Sequence, residues 1–505
     1  MNAKVCLSVP TRVLAIAVTT LLTTATSVAI ASLGSNEYLE TVFSGFMVPL
    51  IVLSIWGVYM LRTREIFHAT PGFFVWVGYV LFVGLGFFVN MERYAQYLMS
   101  DLWQASLLLS GGLLMFIWGY HSTGDVRAWR RKIQPQAFFS ALPRHLRPRV
   151  GFITAICLGL IGILSMIYII SLLGGPAPFL KMPYGASVLE LRALSIVNRM
   201  VSFALQTLLP GATTLSMAIL IRGGCSRAQR AILWTIVISL LAYGVLSKIR
   251  GYIISPFLTY MILRMVLPDR QFRKAEIPKV LVLALSIVFI AYLVGETRKV
   301  EGGLFSIFEG QLAGEGEIGE FISGSFDHYY WMVDVMREIP NNLPLLLGWT
   351  LVSPFLTLIP RDIWPGKPYG FGKLVLVWQG LPFESPVSTG TLLITELYAN
   401  FWIPGVLVLM FVQGWLCAKL YRFLLKYREE PVAASLYLTL IGLIAMVRGD
   451  FQSGASTSIY STLAILLPAW IIYRAISHVT NSRAKSQMRG RCEEIQRSHA
   501  FGRPL

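Results

Sequence analysis

The sequence predicts an all-α integral membrane protein with about 12 transmembrane helices. Of its 505 residues, 55% are hydrophobic and only 14% are charged, and the mean hydropathy is +0.63. So few polar side chains cannot solvate a soluble globule of this length. Apolar runs long enough to cross roughly 30 Å of hydrocarbon as helices recur along the chain. These two observations define the fold class.

The apolar runs divide the chain into four parts. They cover 13–32, 42–61, 73–89, 102–120, 152–173, 201–221, 232–246, 253–267, 280–294, 403–424, 433–447 and 459–473. We therefore expect helices one to nine in residues 1–294, a large loop in 295–391, helices ten to twelve in 392–476 and a basic tail in 477–505.

Orientation follows from the basic residues, because Lys and Arg concentrate in loops that stay in the cytoplasm. A cytoplasmic N-terminus assigns most of them to the cytoplasmic side, with the C-terminus on the same side. The densest cluster comprises Arg127, Arg130, Arg131, Lys132, Arg144, Arg147 and Arg149. Such a cluster beside spans is typical of contact with anionic membrane lipid, so the net charge of +17 does not indicate a nucleic-acid partner.

The cysteines and histidines indicate no metal site and no cofactor. The chain has five cysteines, which fall in predicted cytoplasmic segments or within spans. They form no Cys-x-x-Cys pair and no Cys/His spacing of the kind that binds zinc. We therefore expect that the activity of the protein needs no metal ion.

The predicted loop 295–391 lies on the outer side and is far longer than an ordinary connection. Its aromatic patch at 326–331 contains His328, the only histidine predicted on that side. The apolar run 343–358 is interrupted by Gly348 and Pro354. It therefore predicts short helices in the membrane interface or a shallow re-entrant segment, not a span.

A cationic, proline-rich turn follows, with the sequence Leu358-Ile-Pro-Arg-Asp-Ile-Trp-Pro-Gly-Lys-Pro368. Pro365 and Gly366 suit the central positions of a type II turn, which would fix the directions of Trp364 and Lys367. Trp364 could stack on a sugar ring or lie in the aromatic belt of the membrane interface.

Arginines on the outer side stand close to span ends and form a candidate anion site. They are Arg250, Arg298, Arg361 and Arg448. Arginine suits phosphate because its planar fork donates two parallel hydrogen bonds and keeps its charge when partly desolvated. The alternative is that these arginines reach lipid headgroups or pair with the nearby carboxylates Glu296, Asp362, Glu396 and Asp450. Several guanidinium groups that converge on one point could bind a pyrophosphate.

The motifs resemble those of a known family. Residues 358–368 and Gly390-Thr-Leu-Leu-Ile-Thr-Glu-Leu-Tyr-Ala-Asn-Phe-Trp-Ile-Pro-Gly405 look like the pattern IPR-x-x-WP-x-KP … GE-x-Y-x-NFG-x-x-G of Wzy-type O-antigen polymerases. Ser247-Lys-Ile-Arg-Gly251 resembles their S-x-R-G turn. The chain departs from the pattern where Thr395 and Trp402 replace glycines. The resemblance covers roughly 246–476.

The resemblance implies a GT-C-like glycosyltransferase in the bacterial inner membrane. It would polymerise polyprenyl-pyrophosphate-linked oligosaccharide repeat units, with a chain-length regulator as a possible partner. Cationic side chains can stabilise a departing pyrophosphate without a metal. The catalytic candidates are Arg250, Arg361, Arg448 and Glu396. Candidates for substrate binding are Arg298, Lys367, Trp364, His328, Asp362 and Asp450. Glu396, Asp362 and His328 are also the candidate bases for the acceptor hydroxyl.

Three alternatives stay open. An O-antigen ligase would carry a histidine motif in the large loop, but the sequence around His328 does not reproduce it. A flippase would bury charges within its spans. A transferase using polyprenyl-monophosphate sugars would show paired carboxylates in its first outer loop, where only Glu37 and Glu40 are available.

Overall fold

The computed structural model describes most of the chain. The described residues are 37–63, 65–68, 70–124, 133, 136–140, 142–143, 146–182, 190, 195–266, 276–296, 326–359, 361, 363–382, 389–449 and 451–500. The predicted first span and the site candidates Arg298, Asp362 and Asp450 lie outside them.

The described chain is helical, and its helices are numbered here in chain order. They are α1 Glu37–Thr63, α2 Pro71–Val89, α3 Met99–Ser122, α4 Arg147–Leu172, α5 Pro176–Lys181, α6 Ile196–Arg222, α7 Arg227–Leu246, α8 Arg250–Val266, α9 Ile277–Glu296, α10 His328–Glu338, α11 Trp349–Val352, α12 Phe371–Trp378, α13 Leu393–Tyr427, α14 Pro431–Ile444 and α15 Phe451–Ala500. A π-helical turn, Val80–Leu85, lies inside α2. Among these residues the β-structure is a single isolated bridge.

Eight helices in the described ranges are long and apolar enough to cross a membrane. They lie in α1 to α4, α6, α7, α13 and α15. Helices also form at three further predicted spans, but each has an apolar length below that of the eight. Helix α8 has 17 residues, α14 has 14, and the apolar part of α9 is Leu285–Val294. The all-α membrane class is confirmed, whereas the predicted number of twelve spans is not confirmed by the eight that qualify among the described residues.

Local sequence signals explain where several helices begin. The Ser226 hydroxyl accepts a hydrogen bond from Gln229 N, and the Gln229 side chain accepts one from Ser226 N, which is a capping box at the start of α7. Thr70 caps α2, with Pro71 in its first turn. Pro431 likewise opens α14.

The run 343–358 does not cross the bundle. It forms the four-residue helix α11 and a 3-10 turn, Ser353–Leu356, both far too short to span. Large apolar side chains here stay exposed, among them Leu347, Trp349 and Phe355. Short helices therefore form here, and their place in the membrane interface stays a prediction.

The spans pack as two groups. One core joins α1, α2, α3, α10, α12 and α13, and the other joins α4, α6, α7 and α15. Helix α14 contributes to both, since Leu436 lies in the second core and Tyr437 in the first. The amphipathic helix α10 packs across the ends of α2, α3 and α13.

Glycines bring α3 and α13 into backbone contact. A Cβ added at Gly119 would collide with Phe411 O, and one added at Gly414 would collide with Phe116 O. Small residues at such crossings let membrane helices approach closely enough for backbone packing. This reciprocal pair fixes how α13 lies against α3.

We expect Gly414→Ala to destabilise the protein by roughly 1–3 kcal/mol, because the added methyl group overpacks a backbone contact that cannot relax locally. The measurement is thermal unfolding in detergent. Gly111→Ala is the matched control in the same interface, where the new Cβ would lie an ordinary 3.4 Å from Leu407 Cδ2. Equal melting temperatures for the two variants would contradict this account of the interface.

The two ends of the bundle collect different loops. At the basic end, Arg222 Nη2 donates to Arg428 O at 2.8 Å and Arg147 Nη1 lies 4.0 Å from Glu430 Oε1. We call the opposite end the loop end. Four helices begin there, namely α3, α8, α13 and α15, and α10 lies at the same end. Segments that the charge pattern assigns to one side of the membrane thus meet at one end.

Helix α13 is broken near the loop end. Trp402 has φ 58°, outside helical values, and Pro404 has no N–H to donate to Asn400 O. Leu347 N donates to that oxygen instead, at 3.1 Å, while Asn400 Oδ1 accepts from Gly348 N at 2.8 Å. The break therefore anchors the large loop to the first turns of α13.

Candidate functional site

Two segments that carry predicted site residues, and that are distant in sequence, meet at the loop end. Leu392 and Arg448 form the antiparallel bridge, in which Leu393 N donates to Val447 O at 2.9 Å and Gly449 N donates to Thr391 O at 2.9 Å. The bridge joins the start of α13 to the segment that precedes α15. Because these bonds are between main-chain atoms, the Arg448 side chain is not used to hold the bridge.

Arg448 projects into a cluster with Phe82, Asp327, His328 and Gly390, which we call the Arg448 cluster. Its Cζ lies 5.2 Å from the Phe82 ring centroid. A Cβ added at Gly390 would lie 3.0 Å from Arg448 Nε and 3.3 Å from His328 Nε2. Glycine at this position therefore lets the guanidinium and the imidazole converge on the backbone.

His328 is buried at the first residue of α10, with 1% of its surface exposed. Its ring lies 5.0 Å from the Phe82 ring, and its Nδ1 is 3.8 Å from Asp327 Oδ1. Neither ring nitrogen has a hydrogen-bond partner among the described residues. A buried imidazole in that condition has donor and acceptor capacity to offer a ligand.

The surroundings of the cluster shift its ionisation. Burial, and then the charge of Arg448, lowers the pKa of His328 to about 3, so the imidazole is neutral at physiological pH. Burial raises the pKa of Asp327, an effect that Arg448 and Arg93 oppose. Burial also lowers the pKa of Arg448, against the attraction of Asp327. As a whole residue, Arg448 is nevertheless exposed.

We expect the wild-type protein to lose stability faster than His328→Gln as pH falls from about 6.5 towards about 3. In this interval the unfolded chain binds a proton at His328 while the folded protein does not, so protonation favours unfolding. Melting temperatures of both proteins across this range measure the difference. His478→Gln, in the basic tail helix α15, is the control and should follow the wild type. Parallel curves for His328→Gln and the wild type would contradict the buried, neutral imidazole.

Glu396 lies close by, in the first turn of α13, and is completely buried. Its Oε2 accepts a hydrogen bond from Phe451 N at 3.0 Å, at the start of α15. A carboxylate at a helix N-terminus satisfies an otherwise unpaired amide and interacts favourably with the helix dipole. This geometry gives Glu396 a positioning role, because it fixes α15 relative to the bridge that carries Arg448.

The basic side chains of the cationic turn, residues 358–368, donate hydrogen bonds to main-chain carbonyls within or next to the same segment. Arg361 donates to Lys367 O and, at 3.2 Å, to Pro368 O, and its Cζ lies 3.6 Å from the Tyr369 ring centroid. Lys367 Nζ donates to Thr357 O and Ile359 O at 3.3 and 3.1 Å. Both side chains therefore have structural contacts within the turn, and their role in anion binding stays a prediction.

The predicted turn is present but has a different type. Lys367 N donates to Trp364 O at 3.1 Å across Pro365 and Gly366. Gly366 is not among the residues with positive φ, which a type II turn requires at that position. The half-buried Trp364 ring lies over Gly366, 3.7 Å from where a Cβ would be.

Arg250 occupies a different region of the loop end. It begins α8, which packs against α6, α7 and α9, whereas His328 lies on the side of α2, α3 and α13. In the preceding turn, Lys248 is 1% exposed at φ 57°, and its Nζ donates to Met182 O. The structure therefore separates the elements that carry Arg250 from those that form the Arg448 cluster.

Sequence reasoning missed Phe82, Asp327, Lys248 and the role of Gly390. Phe82 and Gly390 carry no polar chemistry that would single them out, although a π-helical turn such as the one holding Phe82 is often found at functional sites. Within the described ranges, no group of three His, Cys, Asp or Glu residues could hold a metal ion.

Comparison of the chain with protein families, with curated proteins and with solved structures finds no match.

Proposed function

We propose that the chain is a GT-C-like membrane glycosyltransferase that polymerises polyprenyl-pyrophosphate-linked oligosaccharide repeat units. The observation that carries the proposal is the main-chain bridge that places Arg448 beside Gly390 and His328. It joins the segment that resembles the second polymerase motif to the arginine before the last span. The reaction would take place at the outer leaflet of the bacterial cytoplasmic membrane.

Arg448 would stabilise the leaving group. During transfer, the bond between the anomeric carbon and the phosphate oxygen breaks, and its electron pair leaves with the pyrophosphate. As that bond breaks, the acceptor hydroxyl oxygen forms the new bond to the anomeric carbon, and its proton passes to water at the outer surface. The hydrogen bonds from a partly desolvated guanidinium become stronger as negative charge builds on the phosphate. The leaving group therefore need not be protonated.

His328 would bind the same anion. A neutral imidazole can donate one N–H to a phosphate oxygen and accept at its other nitrogen. Since the charge of Arg448 helps to lower the pKa of His328, a bound anion that offsets this charge would raise that pKa. His328 is therefore assigned to the donor pyrophosphate, in preference to the role of acceptor base.

The remaining candidates would support this centre. Glu396 fixes the start of α15, and Lys367 and Arg361 stiffen the turn that presents Trp364 to a sugar. The catalytic role of Arg250, like the roles of Arg298, Asp362 and Asp450, stays a prediction. Membrane lipid and a chain-length regulator are the proposed partners, without nucleic acid.

A ligase-like transfer is the second candidate, because His328 in the large loop lies next to the cation that would hold the donor pyrophosphate. The two reactions share the donor and differ in the acceptor. A polymerase transfers the chain to a new lipid-linked repeat unit, whereas a ligase transfers it to a lipopolysaccharide core.

The deciding experiment incubates the purified protein in lipid with a polyprenyl-pyrophosphate-linked repeat unit, excess chelator and no nucleotide sugar. A ladder of multiples supports a metal-independent polymerase. Product formed only after lipopolysaccharide core is added supports the ligase. Lipid-linked sugar that crosses vesicles without chain growth rejects both in favour of a flippase.

A further inference from the structure

A lateral cavity between α6, α7, α8 and α9 is separate from the Arg448 cluster. Its volume is about 570 Å³, within the roughly 300–1,000 Å³ typical of ligand pockets. The buried side chains Met217, Val237 and Ile253 form its floor. Trp234 and Leu283, which are 45% and 46% exposed, lie at its opening. In a membrane protein this opening faces lipid.

The cavity follows one face of α8. Ile253, Phe257 and Tyr260 line it at the spacing that places side chains on a single helical stripe. Arg264 ends the stripe towards the basic end, where it pairs with the lining residue Glu276. From Ile253 to Arg264 the stripe extends roughly 16 Å along the helix axis.

A cation stands at the other end of the same stripe. Arg250 precedes Ile253 by three residues and Phe257 by seven, so it shares their face of α8 and lies at the loop end. An apolar trough with a cation at one end matches an amphiphile that has an anionic headgroup and a long apolar chain. Glu276, the one charged residue among the described lining residues, is paired with Arg264 and lies at the far end.

We infer that this cavity binds the isoprenoid chain of the polyprenyl pyrophosphate, with its phosphates directed to Arg250. The inference rests on the proposed function, which supplies the headgroup and the side of the membrane. It also gives Arg250 a place outside the Arg448 cluster: the arginine binds one lipid-linked substrate while Arg448 acts on the other.

The test uses a variant at the opening of the cavity, where the fold is not at risk. Leu283→Trp places a larger ring across the opening, and Val282→Trp is the matched control because Val282 is 63% exposed on the same helix and does not line the cavity. Binding of radiolabelled undecaprenyl pyrophosphate to each full-length protein in nanodiscs is compared with binding of geranyl pyrophosphate.

We expect Leu283→Trp to weaken binding of the long-chain ligand about tenfold, the effect of excluding one or two methylene groups from apolar surface. Binding of geranyl pyrophosphate should not change, and Val282→Trp should match the wild type with both ligands. Equal long-chain affinity in all three proteins overturns the inference, as does equal competition by phosphatidylglycerol, which would mark a site for ordinary lipid.

The ladder assay separates this inference from the proposed function. A ladder that depends on Arg448 but forms equally well with Leu283→Trp keeps the polymerase and rejects the tail site. Selective loss of long-chain binding in Leu283→Trp, without any ladder from wild type, keeps the tail site and rejects the polymerase.

Discussion

Arg448→Ala is expected to slow chain extension by roughly a hundredfold. One charge-assisted hydrogen bond contributes about 1.5–3 kcal/mol, and each 1.4 kcal/mol in the barrier is about tenfold in rate. The loss should appear in kcat, because the contact strengthens as the pyrophosphate departs. Initial rates of ladder formation at several donor concentrations separate kcat from KM. Arg448→Lys keeps the charge but loses the planar fork, so about a tenfold loss is expected.

The fold should survive the substitution, since the bridge at Arg448 is made by main-chain atoms. Arg337→Ala is the control: this arginine lies on α10 like His328, its side chain is 50% exposed, and it pairs with Asp101 at 3.5 Å. An exposed pair contributes little, so activity within about twofold of wild type is expected. Equal losses in the two variants would remove the special role of Arg448.

Hydropathy predicts where the described spans lie, but it does not predict where their helices begin or break. The apolar run that predicts the tenth span begins at Ile403, whereas helix α13 begins at Leu393. The additional turns contain Glu396 and Asn400, polar residues that no apolar pattern includes. They are buried because their partners come from other parts of the chain, Phe451 for Glu396 and Gly348 for Asn400. Single-sequence patterns do not contain such long-range pairing.

Positions at span ends predict the arginine candidates, and this sequence signal does not distinguish ligand binding from local structure. Arg361 and Arg448 have similar contexts in the sequence, yet Arg361 donates to carbonyls of its own turn. Arg448 lies beside a buried histidine from the distant large loop. The difference arises from packing of α10 on α13, which depends on tertiary structure.

Gly390→Ala is expected to reduce the rate of chain extension roughly tenfold with little change in melting temperature. The new Cβ would lie 3.0 Å from Arg448 Nε and 3.3 Å from His328 Nε2, closer than side chains normally pack, so both groups have to move apart. Arg448 is accessible and can shift without unfolding the bridge. A misplacement of about 1 Å at a catalytic group can cost about a hundredfold in rate, so a smaller shift at Arg448 is expected to cost about tenfold.

Gly84→Ala is the matched control, because the nearest atom to its new Cβ would be Leu50 Cδ2 at 3.9 Å. This variant should retain activity. The double variant Gly390→Ala/Arg448→Ala then tests the cause. If Gly390 acts by positioning Arg448, the double variant should be no slower than Arg448→Ala alone, since the group that the glycine positions is already gone. Multiplicative losses would mean that the methyl group acts through His328, whose Nε2 lies 3.3 Å from the new Cβ, or obstructs the substrate directly, and Gly390 would then not act by positioning Arg448.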